Sequence, residues 1–572
     1  MVGILENIAS TSRTYDAIVI GSGITGGLAA KELTEKGMHV LMLERGTALE
    51  HGSGYVGEHA PNWTIPFGNL GDYQRNQKDY PVQSQSYAFD EVTRPHFIKD
   101  SDEPYIQEGD TNFEWIRGAR VGGRSLMWGR QVYRWGPQDF LANAEDGHGT
   151  DWPVRYDDIK DWYSHVEKFI GVTGKKEGLE SFPDGEFQKP MEMYALEKRI
   201  KGRLARHASE LTYTMGRSAV LTEPLGDRQP CHYCGACPRG CSTGSYFSTQ
   251  SSTLPAARKT GRLTVRAESA VQKILHDPAK NRVTGVQIKD MKSGELLQFK
   301  SRIIFLNAST IHSAQILLNS KTPAFPDGLA NSSGVVGKYL MDHNEHSSNM
   351  GVFFDDIDQY FSGHRPNGTY IPRFRNLDGQ DEDADFLRGY GYQCNTVRLD
   401  HRFTMHQKGI GADYKEAIRK PGPWIFLMTA FGECLPSESN RVTLDDTKRD
   451  AFGMPLVRIA MKFGENERKM RTDITSQADR ILKAAGAAFI IPDDGSEKPI
   501  SAIHEMGTIR MGKDPKTSAL NGWNQSHDIP NLFVTDGSAM ASSGYVNPSL
   551  TYMAFTARAA DYAARLWKKG EL

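Results

Sequence analysis

Hydrophobic and polar positions recur along this chain with two periods, and the periods mark its elements. Tyr15–Ile20 (YDAIVI) and Met38–Leu43 (MHVLML) are short apolar runs of strand length, with a helix expected between them from about Gly26 to Glu35. Tyr156–Ile170 and Met191–Glu210 place apolar residues at three- and four-residue spacing, which predicts amphipathic helices. Strand-like runs return at Asn349–Phe354, Pro423–Gly432, Arg441–Leu444 and Pro455–Met461, followed by a helix at about Glu465–Ala484. Near the end, NLFVTDGS (531–538) reads as a buried strand entering a turn, and a helix follows from about Ser549 to Trp567. Strand, helix and strand in succession at the start point to an α/β fold. Residues 51–114 are polar, with many Tyr, Asn and Asp, and read as a lid or subunit-contacting segment. The acidic stretch Asp378–Asp385 (DGQDEDAD) reads as a solvated loop.

At 572 residues the chain exceeds one ordinary core, so two interleaved domains are expected. Acidic and basic residues nearly balance (70 against 68), which gives no global field for nucleic acid or a membrane surface. No apolar run approaches the roughly 18–20 residues of a membrane helix. Residues 1–14 (MVGILENIASTSRT) have neither a basic start nor an apolar core, so no secretory leader is expected.

The first apolar run leads directly into GSGITGG, where Gly21, Gly23 and Gly26 form G-x-G-x-x-G. The first glycine permits a tight turn, the second a close approach to a pyrophosphate, and the third close helix–strand packing. The second run ends in Glu44, placed to accept from an adenosine ribose. This unit alone is compatible with FAD or NAD. Gly122 and Gly123 form a loop without bulky side chains, and Ser125 could donate to a cofactor oxygen. Asp536 and Gly537 end the late strand, and the helix after Asn547 can turn its N-terminus toward a second part of the cofactor.

Four of the six cysteines, Cys231, Cys234, Cys237 and Cys241, lie in CHYCGACPRGC. Gaps of two, two and three residues let thiolates wrap one iron–sulfur cluster from a single loop. Zinc is the main rival, although structural zinc usually takes two such pairs separated by a longer loop. Cys241 either completes a 4Fe–4S cluster or stands aside from a 3Fe–4S one. Cys394 and Cys434 are isolated and read as small buried apolar residues.

The chain resembles the glucose–methanol–choline oxidoreductases. The resemblance rests on the N-terminal fingerprint, GGRS (122–125), HEMGTIRMG (504–512) and DGS…VNPSLT (536–551), four blocks in the family's order. It implies a Rossmann-like FAD-binding domain assembled from 12–50, 115–138, 226–342 and 500–572. It also implies an α+β substrate domain, 139–225 and 343–499, whose antiparallel sheet roofs the flavin. Val271, in RAESAV, would lie against the adenine. The resemblance places His504 and Asn547 at the flavin's N5, His504 to take the hydroxyl proton and Asn547 to hold the alcohol oxygen. The competing readings are a core histidine bonded to a backbone carbonyl and a helix N-cap. His343 and His346, at i and i+3, read as structural or substrate-side. Some relatives bind FAD covalently through a histidine where this chain has Met127, so non-covalent FAD is expected.

A cluster-bearing branch of this family acts on sugars. The resemblance therefore implies a dehydrogenase that oxidises a glucoside at C3, with gluconate 2-dehydrogenation, aldose 1-dehydrogenation and an oxygen-using pyranose oxidase as alternatives. It also implies a small partner subunit carrying an export signal, and a c-type cytochrome or quinone as acceptor. Periplasmic or inner-membrane association through that partner is then expected, with the cytoplasm as the alternative.

Overall fold

The computed structural model describes residues 9–359, 364–399, 409–419, 422–493 and 499–572. The first eight residues of the stretch read for a leader lie outside these. Among the described residues no helix is long and apolar enough to cross a membrane.

The mixed α/β fold expected from the sequence is present, built on two seven-stranded sheets. The first carries a parallel core in the order Leu263–Arg266, Val40–Leu43, Thr14–Ile20 and Leu296–Leu306. Val40–Leu43 is buried throughout, and so is Ala17–Ile20. Both faces of these strands are covered, which explains why they read as unbroken apolar runs. Leu296–Leu306 branches: its first half pairs antiparallel with Arg282–Asp290, and its last residues pair parallel with Leu532–Val534. The helix Ser549–Lys568 packs on Ile24–Glu35 and on Tyr156–Ile170. Its buried Ala554, Ala557, Ala560 and Ala564 allow that close approach.

The second sheet is antiparallel, in the order Phe489–Ile491, Met350–Phe353, Trp424–Gly432, Tyr390–Arg398, Thr369–Ile371 and Thr214–Met215, with Asn344–Ser347 also on Trp424–Gly432. Glu465–Ala484 covers it, burying Met470, Ile474, Ala478 and Ile481 at helical spacing. Arg441–Arg449 and Pro455–Ala460 are strands, as their patterns predict, but they form a separate small sheet with Ile106–Gln107.

Candidate active site

A cavity of about 820 Å³ lies between the two large sheets, and its wall carries most of the residues singled out in the sequence. At one end stands the glycine turn. Gly21 has φ +96°, and a Cβ there would lie 2.3 Å from the carbonyl oxygen of Asn307. A Cβ on Gly26 would lie 2.0 Å from the carbonyl oxygen of Gly21, so this glycine serves helix–strand contact and does not line the cavity. A Cβ on Gly23 would meet no protein atom within 4 Å. Gly23 also begins the helix Ile24–Glu35 without a side-chain cap, so the first N–H groups are left for a ligand.

Glu44 is buried at the cavity wall and accepts from Ser22 N (3.1 Å), Ser22 Oγ (2.5 Å) and Gly46 N (2.8 Å). Burial pushes its carboxyl above the usual range, and the Ser22 hydrogen bonds oppose that. Ser22 Oγ also accepts from Gly122 N (2.9 Å), tying the first βα turn to the second glycine loop. Within that loop Gly123 lines the cavity, whereas Gly122 supports it from behind. Ser125 donates to the Gly122 carbonyl (2.6 Å) and accepts from Thr249 N (3.0 Å), so its hydroxyl holds the loop. Val271, Met127, Asp536 and Gly537 line the same space. Asp536 accepts from Ser313 Oγ and Ser538 N, which fixes the turn before the last helix.

At the far end His504 and Asn547 meet. Asn547 Nδ2 lies 3.2 Å from His504 Nε2, and Asn547 Oδ1 accepts from Gln393 Nε2 at 2.7 Å. The cap of the last helix is Pro548 and uses no side chain, so the Asn547 amide is not engaged there. His504 Nδ1 lies 2.7 Å from Nδ1 of His343, whose sequence context reads as structural or substrate-side. His346 is elsewhere, near Asp493 and Thr475. Burial holds the His504 imidazolium well below the ordinary histidine range, with His343 and Arg124 adding repulsion. Arg124 is itself paired with Glu505.

Because a depressed value keeps the imidazole neutral below pH 6.5, a base at this position stays competent through that pH. Flavin reduction by substrate is expected to stay level from pH 8 down past 6.5. Stopped-flow rates that halve near 6.5 would show an unperturbed histidine instead.

The cysteine loop stands beside this cavity. Tyr233 N points at Cys231 Sγ (3.3 Å) and Ala236 N at Cys234 Sγ (3.5 Å), while Thr243 Oγ1 lies 3.3 Å from Cys241 Sγ. Left-handed Tyr233, Gly235 and Gly240 (φ +58°, +75° and +122°) curl the chain to do this. Burial pushes the Cys231 thiol up to about 11, and the other three cysteines add to the rise. Burial also raises Cys237, against the pull of Arg130, a cavity-wall residue. The 51–114 segment clasps the loop: Glu58 accepts from Ser242 N (2.8 Å), and Arg239 donates to Ala60 O (3.1 Å) and Asn62 Oδ1 (2.6 Å).

Models of the N- and C-terminal parts of GMC oxidoreductases match residues 15–345 and 436–556, and the chain belongs to this family. It is an oxidoreductase of the kind that acts on CH–OH groups of sugars and alcohols, and the family implies FAD. A 2-methyl-1,2-propanediol dehydrogenase from Mycolicibacterium austroafricanum is 29% identical, over 96% of this chain and 95% of its own. The fructose dehydrogenase large subunit of Gluconobacter japonicus is 28% identical, over 98% and 100%. Pyridoxine 4-oxidase from Mesorbium loti has the same fold, with a TM-score of 0.59 at 16% identity over 96% of this chain and 98% of its own.

Proposed function

We propose that the chain is an FAD-dependent dehydrogenase that oxidises a secondary hydroxyl of a glucoside at C3 to a 3-keto-glycoside. His504 receives the hydroxyl proton, and electrons leave through an iron–sulfur cluster on Cys231, Cys234, Cys237 and Cys241 to an external one-electron acceptor. The observation that carries the sugar reading is the wall around His504 and Asn547. Gln131, Asn367, Gln393, Asn395 and Thr429 contribute to it, a set of neutral donors and acceptors suited to several hydroxyls at once. Asn367 Nδ2 is buried without a protein partner.

The residues fit FAD held without a covalent bond. Gly23 opens its empty side to the cavity, and Asn307 Oδ1, on a cavity-wall residue, is buried with no protein partner. Bound FAD supplies a hydride acceptor. His504 Nε2 is placed to break the substrate O–H bond by taking its proton. Asn547 Nδ2 lies against that nitrogen; with substrate bound it turns to the hydroxyl oxygen and holds the carbinol in place, leaving the Nε2 lone pair for the proton. The cofactor reading predicts a contrast between two glycines. Gly23→Val should fold but bind FAD at least about tenfold more weakly, because its side chain enters the cavity. Gly26→Val should fail to fold, since its Cβ meets backbone. Thermal melts with and without added FAD, together with flavin titration, check both outcomes.

The cysteine loop fits a cluster in that backbone N–H groups already point at two of its sulfurs, the contacts that orient thiolate ligands and tune a cluster's potential. A cluster there supplies one-electron transfer. A zinc ion is the second reading, favoured by His59, His232 and Cys234, whose ligand atoms lie within 4.8 Å of one another. Iron, sulfide and zinc analysis of anaerobically purified protein separates the two. We further propose that a small subunit with an export signal carries the chain to the periplasmic face, where a c-type cytochrome or quinone accepts the electrons. Recovery in the cytoplasmic fraction despite co-expression with such a subunit would overturn this.

The deciding experiment is anaerobic titration with methyl glucoside, glucose, gluconate, fructose and 2-methyl-1,2-propanediol. Bleaching of the flavin bands by methyl glucoside supports the proposal, and a 3-keto product completes it. Bleaching by the diol alone, or fast reoxidation in air without iron, replaces it.

A further inference from the structure

The His504 environment determines which of its nitrogens carries hydrogen, through a relay anchored at a backbone carbonyl. The oxygen of Gly544, which can only accept, lies 3.2 Å from His343 Nε2. That nitrogen therefore bears the hydrogen, and a neutral imidazole has only one. Burial holds His343 near a value of about 4, so it is neutral at working pH. His343 Nδ1 is then a lone pair, and the hydrogen in the 2.7 Å contact with His504 Nδ1 belongs to His504. His504 Nε2 is left bare.

The other end of the network gives the same answer from different residues. Gln393 Nε2 donates to Asn547 Oδ1, which turns the Asn547 amide N–H toward His504 Nε2, the partner a bare nitrogen needs. The two imidazoles are also held at the backbone. Asp342 Oδ1 accepts from the N–H of His343 (2.8 Å) and from that of His504 (3.0 Å). The Phe431 ring lies against both imidazoles, with centroids at 5.9 and 5.7 Å. Asp342, His343 and His504 also bring ligand atoms within 4.8 Å of one another. A metal is nevertheless a poor fit, because nitrogens 2.7 Å apart are too close to share an ion bound at about 2.0–2.1 Å in tetrahedral geometry.

We propose that His343, which does not line the cavity, is a positioning residue that holds His504 in its Nδ1–H tautomer and so makes Nε2 the atom that takes the substrate proton. The inference rests on the reading of His504 as proton acceptor. Without an acceptor at Nδ1, the His504 hydrogen is free to move to Nε2, where it removes the base while leaving the side chain in place.

The test uses FAD-loaded protein with ¹⁵N-labelled histidine, the His504 signals being those missing in His504→Ala. The expected spectrum shows protonated Nδ1 and bare Nε2 in the unaltered protein. Wild-type His504 protonated at Nε2 would overturn the proposal without any variant having to fold. His343→Leu, which offers no acceptor, should shift the proton toward Nε2 and slow flavin reduction roughly 10²-fold or more, within the range of wrong-tautomer losses. Substrate affinity should change far less. His343→Asn, whose Oδ1 can stand where Nδ1 stood, should restore the tautomer and bring the rate within about tenfold of the original. An unmoved tautomer in His343→Leu, with His504→Ala still slow, removes the role of His343 alone. Normal reduction in His504→Ala removes the base reading beneath it.

Discussion

His504→Ala is expected to retain FAD and to slow flavin reduction by substrate at least about a hundredfold, the usual scale for losing a general base. The hydride cannot readily leave carbon while the alcohol oxygen keeps its proton, and His504 Nε2, 3.2 Å from Asn547 Nδ2, is the acceptor placed to receive it. The cofactor contacts are expected to survive, because the glycine turn and Glu44 stand at the opposite end of the cavity. The substitution deprives the buried His343 of its hydrogen-bond donor, at about 1–3 kcal/mol. That is below the roughly 5–15 kcal/mol that keeps a typical protein folded. Anaerobic stopped-flow measurement with an unchanged flavin-to-protein ratio reads the effect directly. Reduction at a near-normal rate would place the proton acceptor elsewhere.

Cys234→Ser is expected to separate the two halves of the catalytic cycle. Flavin reduction by substrate should stay within about twofold, while turnover with cytochrome c falls at least about tenfold and iron content drops. Cys234 is exposed, but losing a cluster ligand can itself destabilise the fold, so a thermal melt and the flavin-to-protein ratio of the variant are measured alongside to separate a broken relay from misfolding. Unchanged turnover with the protein acceptor would remove the cysteine loop from the electron path. Loss of zinc in place of iron would assign Cys234 to the site it shares with His59 and His232.

Much of the fold was legible because its signals are local. The helices Tyr156–Ile170 and Glu465–Ala484 have the predicted limits, since one apolar stripe per turn both defines and buries them. Arg441–Arg449 and Pro455–Ala460 were legible as strands but not as members of a separate sheet. Their third partner, Ile106–Gln107, is two residues long and too short to show a period. In the site, the glycines announce themselves by the steric room they leave. His343 does not: it lies beside His346 in sequence, yet its contacts are with His504 and Gly544, and no local pattern encodes either. The choice between N-cap and site residue at Asn547 likewise required coordinates, because the amide could serve both.

The branched strand Leu296–Leu306 has a consequence for how the molecule is made. One of its edges finds Thr14–Ile20, and the first half of the other finds Arg282–Asp290, all already synthesised, but Ile304, Phe305 and Leu306 keep that second edge open until Leu532–Val534 emerges. Asp536, Gly537 and the helix Ser549–Lys568 follow that strand, so the cradle at the cavity is incomplete until they too have been made. The growing polypeptide therefore carries an unpaired, strongly apolar β-edge from the making of Leu306 to that of Leu532, the kind of surface that aggregates when left uncovered. Flavin uptake belongs after the helix Ser549–Lys568 has been made, and a chain cut short before residue 532 would be sticky as well as inactive.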